Sequence, residues 1–266
     1  MKKIILHGVL GILGLISIWF ILQQVDWLSI LKIEEVNSNT EEKLGEVFWD
    51  IFKQSETENK DANVIKTVDS LLIRLCHYND IDRKKIKLHI INSEEVNAFA
   101  LPDGHLVVYS KLITEAENPE ELCGVLGHEL AHIELNHVTK KLVKEIGLTA
   151  LISITTGGGG AEVTKEAIKL LTSSAFDRKL EKEADLKAVD YLKNAKISCE
   201  PFANFLFRLS TNEKKTEEYF SWISTHPESK TRAEYIIQLS KNQKKLTSES
   251  IMDSTVWKNL QNDLSQ

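Results

Sequence analysis

The sequence predicts a mostly helical α+β fold with a small antiparallel sheet and an N-terminal membrane anchor helix. Short strand patterns occur over residues 86–91, 96–101 and 105–109, the last two joined by a Pro-Asp-Gly turn. Helical patterns dominate after residue 119. Residues 4–22 are almost entirely apolar, which is long enough to cross a bilayer. The remaining chain, about 240 residues, suffices for one substantial core.

The apolar stretch predicts a single membrane crossing over residues 1–25. Lys2 and Lys3 precede it and Asp26 follows it, so the positive-inside rule places the N-terminus in the cytoplasm and the rest outside, in a periplasmic or equivalent compartment. A cleaved signal peptide is the alternative. Its apolar core is usually shorter and ends in small residues, which are absent here. The pattern therefore favours an uncleaved anchor.

The regions after the anchor differ in composition. Residues 26–62 form a polar connecting segment with an amphipathic piece at 44–52. Because the polar side of that piece is acidic, we expect it to pack on the domain rather than lie on a membrane. A helix is predicted over 64–76, at the start of a domain spanning 63–245. Residues 246–266 form a polar tail, and the sequence does not decide whether it is ordered.

Most of the predicted domain is helical. We expect helices at 119–135, 138–152, 161–174, 178–195, 200–211 and 228–245. Four consecutive glycines at 157–160 resist regular structure and predict a flexible break between two of these helices.

The charge and cysteine content exclude some functions. Acidic residues outnumber basic ones, 39 to 33, and no basic patch indicates a nucleic-acid partner. Cys76, Cys123 and Cys199 are too far apart in sequence to predict a metal-binding pair or a disulfide framework. Nothing in the sequence indicates the oligomeric state.

Residues 128–132 read H-E-L-A-H, the zinc-peptidase pattern H-E-x-x-H. His128 and His132 are four residues apart, so on a helix both imidazoles face one metal ion. Glu129 points about 100° away around the helix, where its carboxylate can accept a proton from water beside the metal. The alternative is a surface helix with two stray histidines. The apolar stripe of the 119–135 helix argues against it.

A catalytic zinc usually has a third protein ligand. Glu181 and Asp185 are four residues apart and share one helix face, whereas Glu183 points elsewhere. In one arrangement Glu181 is an oxygen ligand and Asp185 holds the ring N–H of a metal-binding histidine. Taken alone, this weak spacing pattern favours an ordinary charged helix surface.

Together the motifs resemble one superfamily. The chain resembles the membrane-associated zinc metallopeptidases that include HtpX, BepA, Oma and the CAAX prenyl proteases. It shares four motifs with them in the same order along the chain: N-A-F-A-L-P-x-G starting at Asn97, H-E-L-A-H, E-x-E-A-D, and H-P-x-x-x-x-R from His226 to Arg232. The resemblance covers roughly residues 63–240 and implies a zincin-type metallopeptidase domain. One predicted span favours the BepA and Oma branch over the CAAX branch. One departure from the family pattern is Asp177, which precedes Arg178 at a position where the family often has serine.

The resemblance implies roles for individual residues. One zinc ion per chain is expected on His128, His132 and Glu181, with Glu129 as catalytic base and Asp185 behind a ligand. His226 is expected at the metal, as a plug ligand or as a donor to the transition state, unless it only caps the following helix. Arg232 either orients His226 or a carboxylate, or lies on the surface. The remaining histidines lack metal-ligand spacing: His7, His77, His89, His105 and His137.

The expected substrates are proteins or peptides. An extended substrate is expected to pair with one strand by strand addition: Asn97, Ala98, Phe99, Ala100 and Leu101. The resemblance indicates a membrane-anchored endopeptidase that removes unfolded or misassembled envelope or membrane proteins. The alternative is a chaperone-like binding module whose zinc site is latent or structural.

Overall fold

The structure is a computed structural model that describes residues 38–211, 217–241 and 250–265, together with isolated positions 7, 12, 14, 16 and 17. The predicted anchor lies outside the continuous ranges. Within the described part of the chain, no helix combines the length and apolarity needed to cross a membrane.

Helices make up most of the described chain, and a three-stranded sheet accompanies them, as the sequence predicts. The helices are α1 (Ser38–Phe52), α2 (Ala62–His77), α3 (Ser110–Glu115), α4 (Pro119–Glu134), α5 (His137–Ile146), α6 (Leu148–Thr155), α7 (Ala161–Ser173), α8 (Arg178–Asn194), α9 (Glu200–Thr211), α10 (Glu217–Thr225), α11 (Ser229–Lys241) and α12 (Ser254–Leu264). The strands are β1 (Lys87–Ile91), β2 (Ala98–Leu101) and β3 (His105–Tyr109).

The sheet has the order β1-β3-β2. Strands β2 and β3 form the predicted antiparallel hairpin, with Ala98 opposite Val108. Strand β1 instead runs parallel to β3, with Lys87 opposite His105. The expectation of a wholly antiparallel sheet was therefore wrong. The spacing of the strands in the sequence does not reveal that β1 pairs with β3 rather than with β2. Because β3 lies in the middle, β2 is at an edge of the sheet.

Helix α4 lies at the centre of the domain and packs against α8, α9 and β2. It begins at Pro119, and the Asn118 side chain caps it by accepting a hydrogen bond from the Glu121 backbone N–H. A Cβ atom on Gly124 would lie 2.3 Å from Phe202 of α9. Glycine at this position therefore lets the two helices approach closely.

The amphipathic piece at 44–52 belongs to α1, and its apolar side chains Leu44, Phe48 and Phe52 are buried. Helix α1 packs against α6, α7 and β2. The tail contains α12, in which Trp257 and Leu260 are buried. This helix packs on α2 and α3.

Two helical predictions differ from the structure. The predicted helix 138–152 is divided into α5 and α6 at Gly147, whose φ of 84° lies in a region that helical residues do not occupy. The helix predicted over 228–245 begins at Ser229, and its described part ends at Lys241. Helix α10 was not predicted.

Candidate metal centre

Four side chains converge in the interior of the domain. His128, His132, Glu181 and His226 each offer one ligand atom, and these atoms all lie within 4.8 Å of one another. The Nε2 atom of His128 is 3.0 Å from Nε2 of His132 and 3.2 Å from Nδ1 of His226. The Oε1 atom of Glu181 is 2.9 Å from the same Nδ1 atom. All four side chains are buried.

Three elements bring these groups together. His128 and His132 lie one turn apart on α4, and Glu181 lies in the first turn of α8, which packs along α4. His226 follows the last residue of α10, and its backbone N–H donates to the Trp222 carbonyl at 2.8 Å. Pro227 follows His226 directly, where the chain leaves that helix.

The protonation states of these groups suit a divalent metal ion. Burial lowers the pKa of His226 to about 4 and holds the pKa of His132 well below its ordinary value, so both rings are neutral at pH 7 and carry a lone pair. Burial opposes ionisation of Glu181, but His226 and the Arg232 guanidinium outweigh it and hold the pKa well below its ordinary value. Imidazole nitrogens with a carboxylate oxygen are a usual zinc ligand set. The cluster therefore fits one zinc ion.

A second layer of polar groups surrounds the cluster. The Nδ1 atom of His128 is 2.9 Å from Oδ1 of Asp185, so Nε2 of that ring faces the other ligands. Arg232 donates to Asp185 from Nε at 2.8 Å and from Nη2 at 2.7 Å. Its Nη1 atom lies 2.7 Å from Oε2 of Glu181. The Tyr235 hydroxyl also donates to Asp185. Arg232 is thus buried between two carboxylates rather than on the surface.

The Glu129 carboxylate lies beside the cluster. Its Oε1 atom is 3.4 Å from Nε2 of His226, and the side chain is buried. Burial raises its pKa well above the ordinary value, and the negative charge of Glu181 raises the pKa further. Arg232 and the backbone of Ala100 act in the opposite direction. The position next to Ala100 also places Glu129 beside strand β2.

The predicted substrate strand is at the sheet edge but is covered. Asn97 and the four residues of β2 are all buried. Helices α1 and α7 pack against this strand, and the Ser221 hydroxyl of α10 donates to the Val96 carbonyl at 3.2 Å. In this structure the strand predicted to bind substrate therefore has little exposed surface.

His137 was not predicted to approach the cluster, yet it does. Its Nδ1 atom lies 3.1 Å from Nδ1 of His132, and its ring is buried. If the helix had continued past residue 134, the two rings would lie on different sides. Instead Asn136, with φ of 54°, adopts the left-handed conformation and turns the chain. Asparagine favours this conformation, so it was the available signal.

Lys141 and Phe176 also line the surroundings of His132. The Lys141 ammonium donates to the Ser174 carbonyl and lies 4.1 Å from the Phe176 ring centroid. The Phe176 ring in turn lies 4.2 Å from the His132 ring. Burial lowers the pKa of Lys141 to about 8, against the opposing effect of Glu181. Neither residue belongs to a motif that predicts this contact.

Comparison with known proteins identifies the family. The family sequence model described as "Peptidase family M48" matches residues 59–240, which is more than half of the chain. The fold and the metal-binding residues agree with a zinc-dependent metallopeptidase domain. The chain belongs to peptidase family M48, and the resemblance inferred from the motifs is confirmed.

Several metalloproteases are similar to this chain. Mitochondrial metalloendopeptidase OMA1 of Bos taurus is 28% identical over 215 residues, which cover 73% of this chain and 40% of the bovine protein. Metalloprotease LoiP of Escherichia coli is 29% identical, covering 59% of this chain and 64% of LoiP. The beta-barrel assembly-enhancing protease of Yersinia pestis is 23% identical over 63% of this chain and 37% of its own length. The chain thus matches about two fifths to two thirds of these relatives.

Proposed function

We propose that the protein is a zinc-dependent endopeptidase whose metal ligands are His128, His132 and Glu181. One observation carries the proposal: the two histidines of H-E-x-x-H and a carboxylate from a second helix converge in a buried site with Glu129 beside them. A structural zinc site does not need an uncoordinated carboxylate at this position, whereas peptide hydrolysis does.

The proposed mechanism depends on proton transfer by Glu129. A bound zinc ion supplies Lewis acidity, which polarises a scissile carbonyl and lowers the pKa of water. Glu129 is the base, since its carboxylate lies beside the cluster and burial raises its pKa above the ordinary value, which makes it a stronger proton acceptor. It would then return the proton to the leaving amine. Asp185 fixes the ring of His128, and Arg232 holds Asp185 and Glu181 ionised in the interior.

We propose that His226 is a plug in this structure. Its Nδ1 atom lies among the ligand atoms, which supports a fourth position in the metal's coordination, and its Nε2 atom faces Glu129. The polar contacts of its side chain are with the metal cluster and Glu129, which supports this role over helix capping. A substrate would have to displace His226. Once displaced, an imidazole beside Glu129 is also placed to donate to a developing oxyanion.

The proposed substrates are unfolded polypeptides. An extended peptide can add to an edge strand through backbone hydrogen bonds, which read little of its sequence. Strand β2 is such an edge, because it pairs only with β3 in the described sheet. Helices α1 and α7 pack against this strand, and this cover would have to open before a peptide could bind. The short helix α6 and the glycines at 157–160 precede α7 and supply the necessary backbone freedom.

We further propose that the enzyme is membrane-anchored and acts on misassembled envelope or membrane proteins. Support comes from the apolar stretch at 4–22 and from relatives named as mitochondrial or as enhancing β-barrel assembly. A reporter fused after Gln266 should be active only outside the cytoplasm. A mature N-terminus near Gln23 would show a cleaved signal peptide instead.

A latent chaperone-like module is the second candidate. The buried strand and the position of His226 favour it, because both keep a substrate from the metal. The discriminating experiment incubates unfolded casein with the full-length protein, with and without chelator. The proposed function predicts fragments that disappear with chelator and return with added zinc. Binding of casein without cleavage, by protein shown to contain zinc, would favour the chaperone-like module.

A further inference from the structure

We propose that His137 is a positioning residue for zinc: it accepts a hydrogen bond from Nδ1–H of His132 and so directs the Nε2 lone pair of His132 toward the metal. This inference rests on the proposed zinc site. It concerns a histidine outside both the H-E-x-x-H motif and the four-residue ligand cluster.

The contact pattern determines which ring carries the proton. The two Nδ1 atoms are 3.1 Å apart, so one of them donates and the other accepts. The Nε2 atom of His132 lies 3.0 Å from Nε2 of His128 and 3.4 Å from Oε1 of Glu181, among the ligand atoms. To bind a metal, that atom must be unprotonated. His132 is then protonated on Nδ1 and donates, and His137 accepts.

The other nitrogen of His137 is consistent with this assignment. As an acceptor through Nδ1, a neutral His137 carries its proton on Nε2. That atom lies 3.4 Å from Oε2 of Glu183, a carboxylate whose side chain is 44% exposed. The chain of contacts therefore runs from a solvent-accessible carboxylate through His137 to a ligand. Histidine ligands commonly use their second nitrogen in this way, with carboxylates, carbonyls or water as partners.

The local fold holds His137 in place. Asn136 in the left-handed conformation ends the path of α4 and starts α5 with His137 as its first residue. Helix α5 packs against α4, and its residues Val138, Leu142 and Val143 are buried. The two imidazole rings meet at a centroid distance of 5.0 Å and an interplanar angle of 73°. The His137 ring is fully buried, so its contact with His132 is shielded from solvent.

The test measures zinc affinity in the full-length protein by competition with a chromophoric chelator. His137→Phe keeps a ring of similar shape but removes the acceptor, and we expect zinc affinity to fall about 10- to 100-fold. His137→Asn places an amide oxygen near the former Nδ1 position and should restore affinity to within about threefold of wild type. The control His77→Phe changes an exposed histidine on α2 and should leave affinity unchanged.

Two results would overturn the inference: wild-type zinc affinity in folded His137→Phe, or equal losses in the Phe and Asn variants. A second measurement needs no variant. In zinc-loaded wild-type protein, long-range ¹H–¹⁵N spectra should show His132 protonated on Nδ1 and His137 on Nε2, and the reverse assignment would refute the proposal. The wild-type measurement separates failure of this inference from failure of the proposed function. Wild-type protein that binds no zinc would refute both, whereas zinc binding by wild type with either overturning result would refute only the role of His137.

Discussion

Arg232 is the buried cation that the candidate site requires, and its removal should destabilise the fold strongly. Its guanidinium bonds to Asp185 at 2.7 and 2.8 Å and lies 2.7 Å from Glu181. The side chains of all three residues are at most 4% exposed. Arg232→Met keeps an unbranched apolar stem but removes the guanidinium that lies between the two buried carboxylates.

The expected loss of stability in Arg232→Met follows from the burial of the ion pairs. Removing one partner of a buried ion pair costs about 3–5 kcal/mol. In a domain of this size each kcal/mol lowers the melting temperature by about 2–4 °C, so the expected decrease is about 6–20 °C. Arg178 is the matched control, because its side chain is 82% exposed and lies 2.8 Å from Glu228. For such a surface pair we expect about 0–1 kcal/mol, or about 0–4 °C.

The assay is calorimetric melting of both variants in chelator, so that metal binding does not contribute to the difference. If Arg232→Met melts within the range expected for Arg178→Met, the two buried carboxylates do not depend on Arg232. Arg232 would then not be the residue that stabilises the buried carboxylates of the second layer. A large decrease only for Arg232→Met supports it.

The remaining predictions concern the metal, the plug and pH. Glu181→Ala should lose zinc, whereas Glu183→Ala should retain it; metal analysis giving the opposite result would reassign the third ligand. If His226 plugs the site, His226→Ala should raise casein hydrolysis, whereas a decrease of roughly 10²-fold with zinc retained would make it an oxyanion donor. An unchanged rate with about 1 kcal/mol lower stability would make it a helix cap. Zinc-free protein should lose stability as the pH falls from about 6.5 toward 4, by up to about 1.4 kcal/mol per pH unit for each histidine that is buried neutral. In this window the unfolded chain binds protons that His137 and His226, with pKa lowered to about 4 by burial, do not bind in the folded state. Urea unfolding titrations should give a lower free energy of unfolding at pH 5 than at pH 7, and equal free energies of unfolding would contradict this prediction.

The sequence predicts the parts of the site that depend on helical spacing. His128 and His132 are one turn apart on α4, and Glu181 and Asp185 are one turn apart on α8. The structure brings both pairs together because the two helices pack along each other. Short-range periodicity is enough to predict which side chains share a face, and the family resemblance then implies that the two faces meet at one metal ion.

Contacts made across turns were not predictable in the same way. His137 reaches His132 because Asn136 turns the chain between α4 and α5, and the spacing of the two histidines in the sequence does not indicate this contact. Tyr235 reaches Asp185 through the packing of α11 on α8, which no local pattern encodes. The parallel pairing of β1 with β3 likewise depends on a long-range choice of neighbour. These features are set by tertiary packing rather than by local sequence.

Glu129 is the proposed base of a zinc-dependent peptidase, and the catalytic mechanism depends on it. The most direct test compares Glu129→Gln with wild type for casein hydrolysis, zinc content and melting temperature. The change leaves His128 and His132 in place and removes only the proton acceptor, so zinc and fold should persist while the rate falls at least roughly 10²-fold. A zinc-loaded, folded Glu129→Gln protein that hydrolyses casein at the wild-type rate would show that Glu129 is not the base.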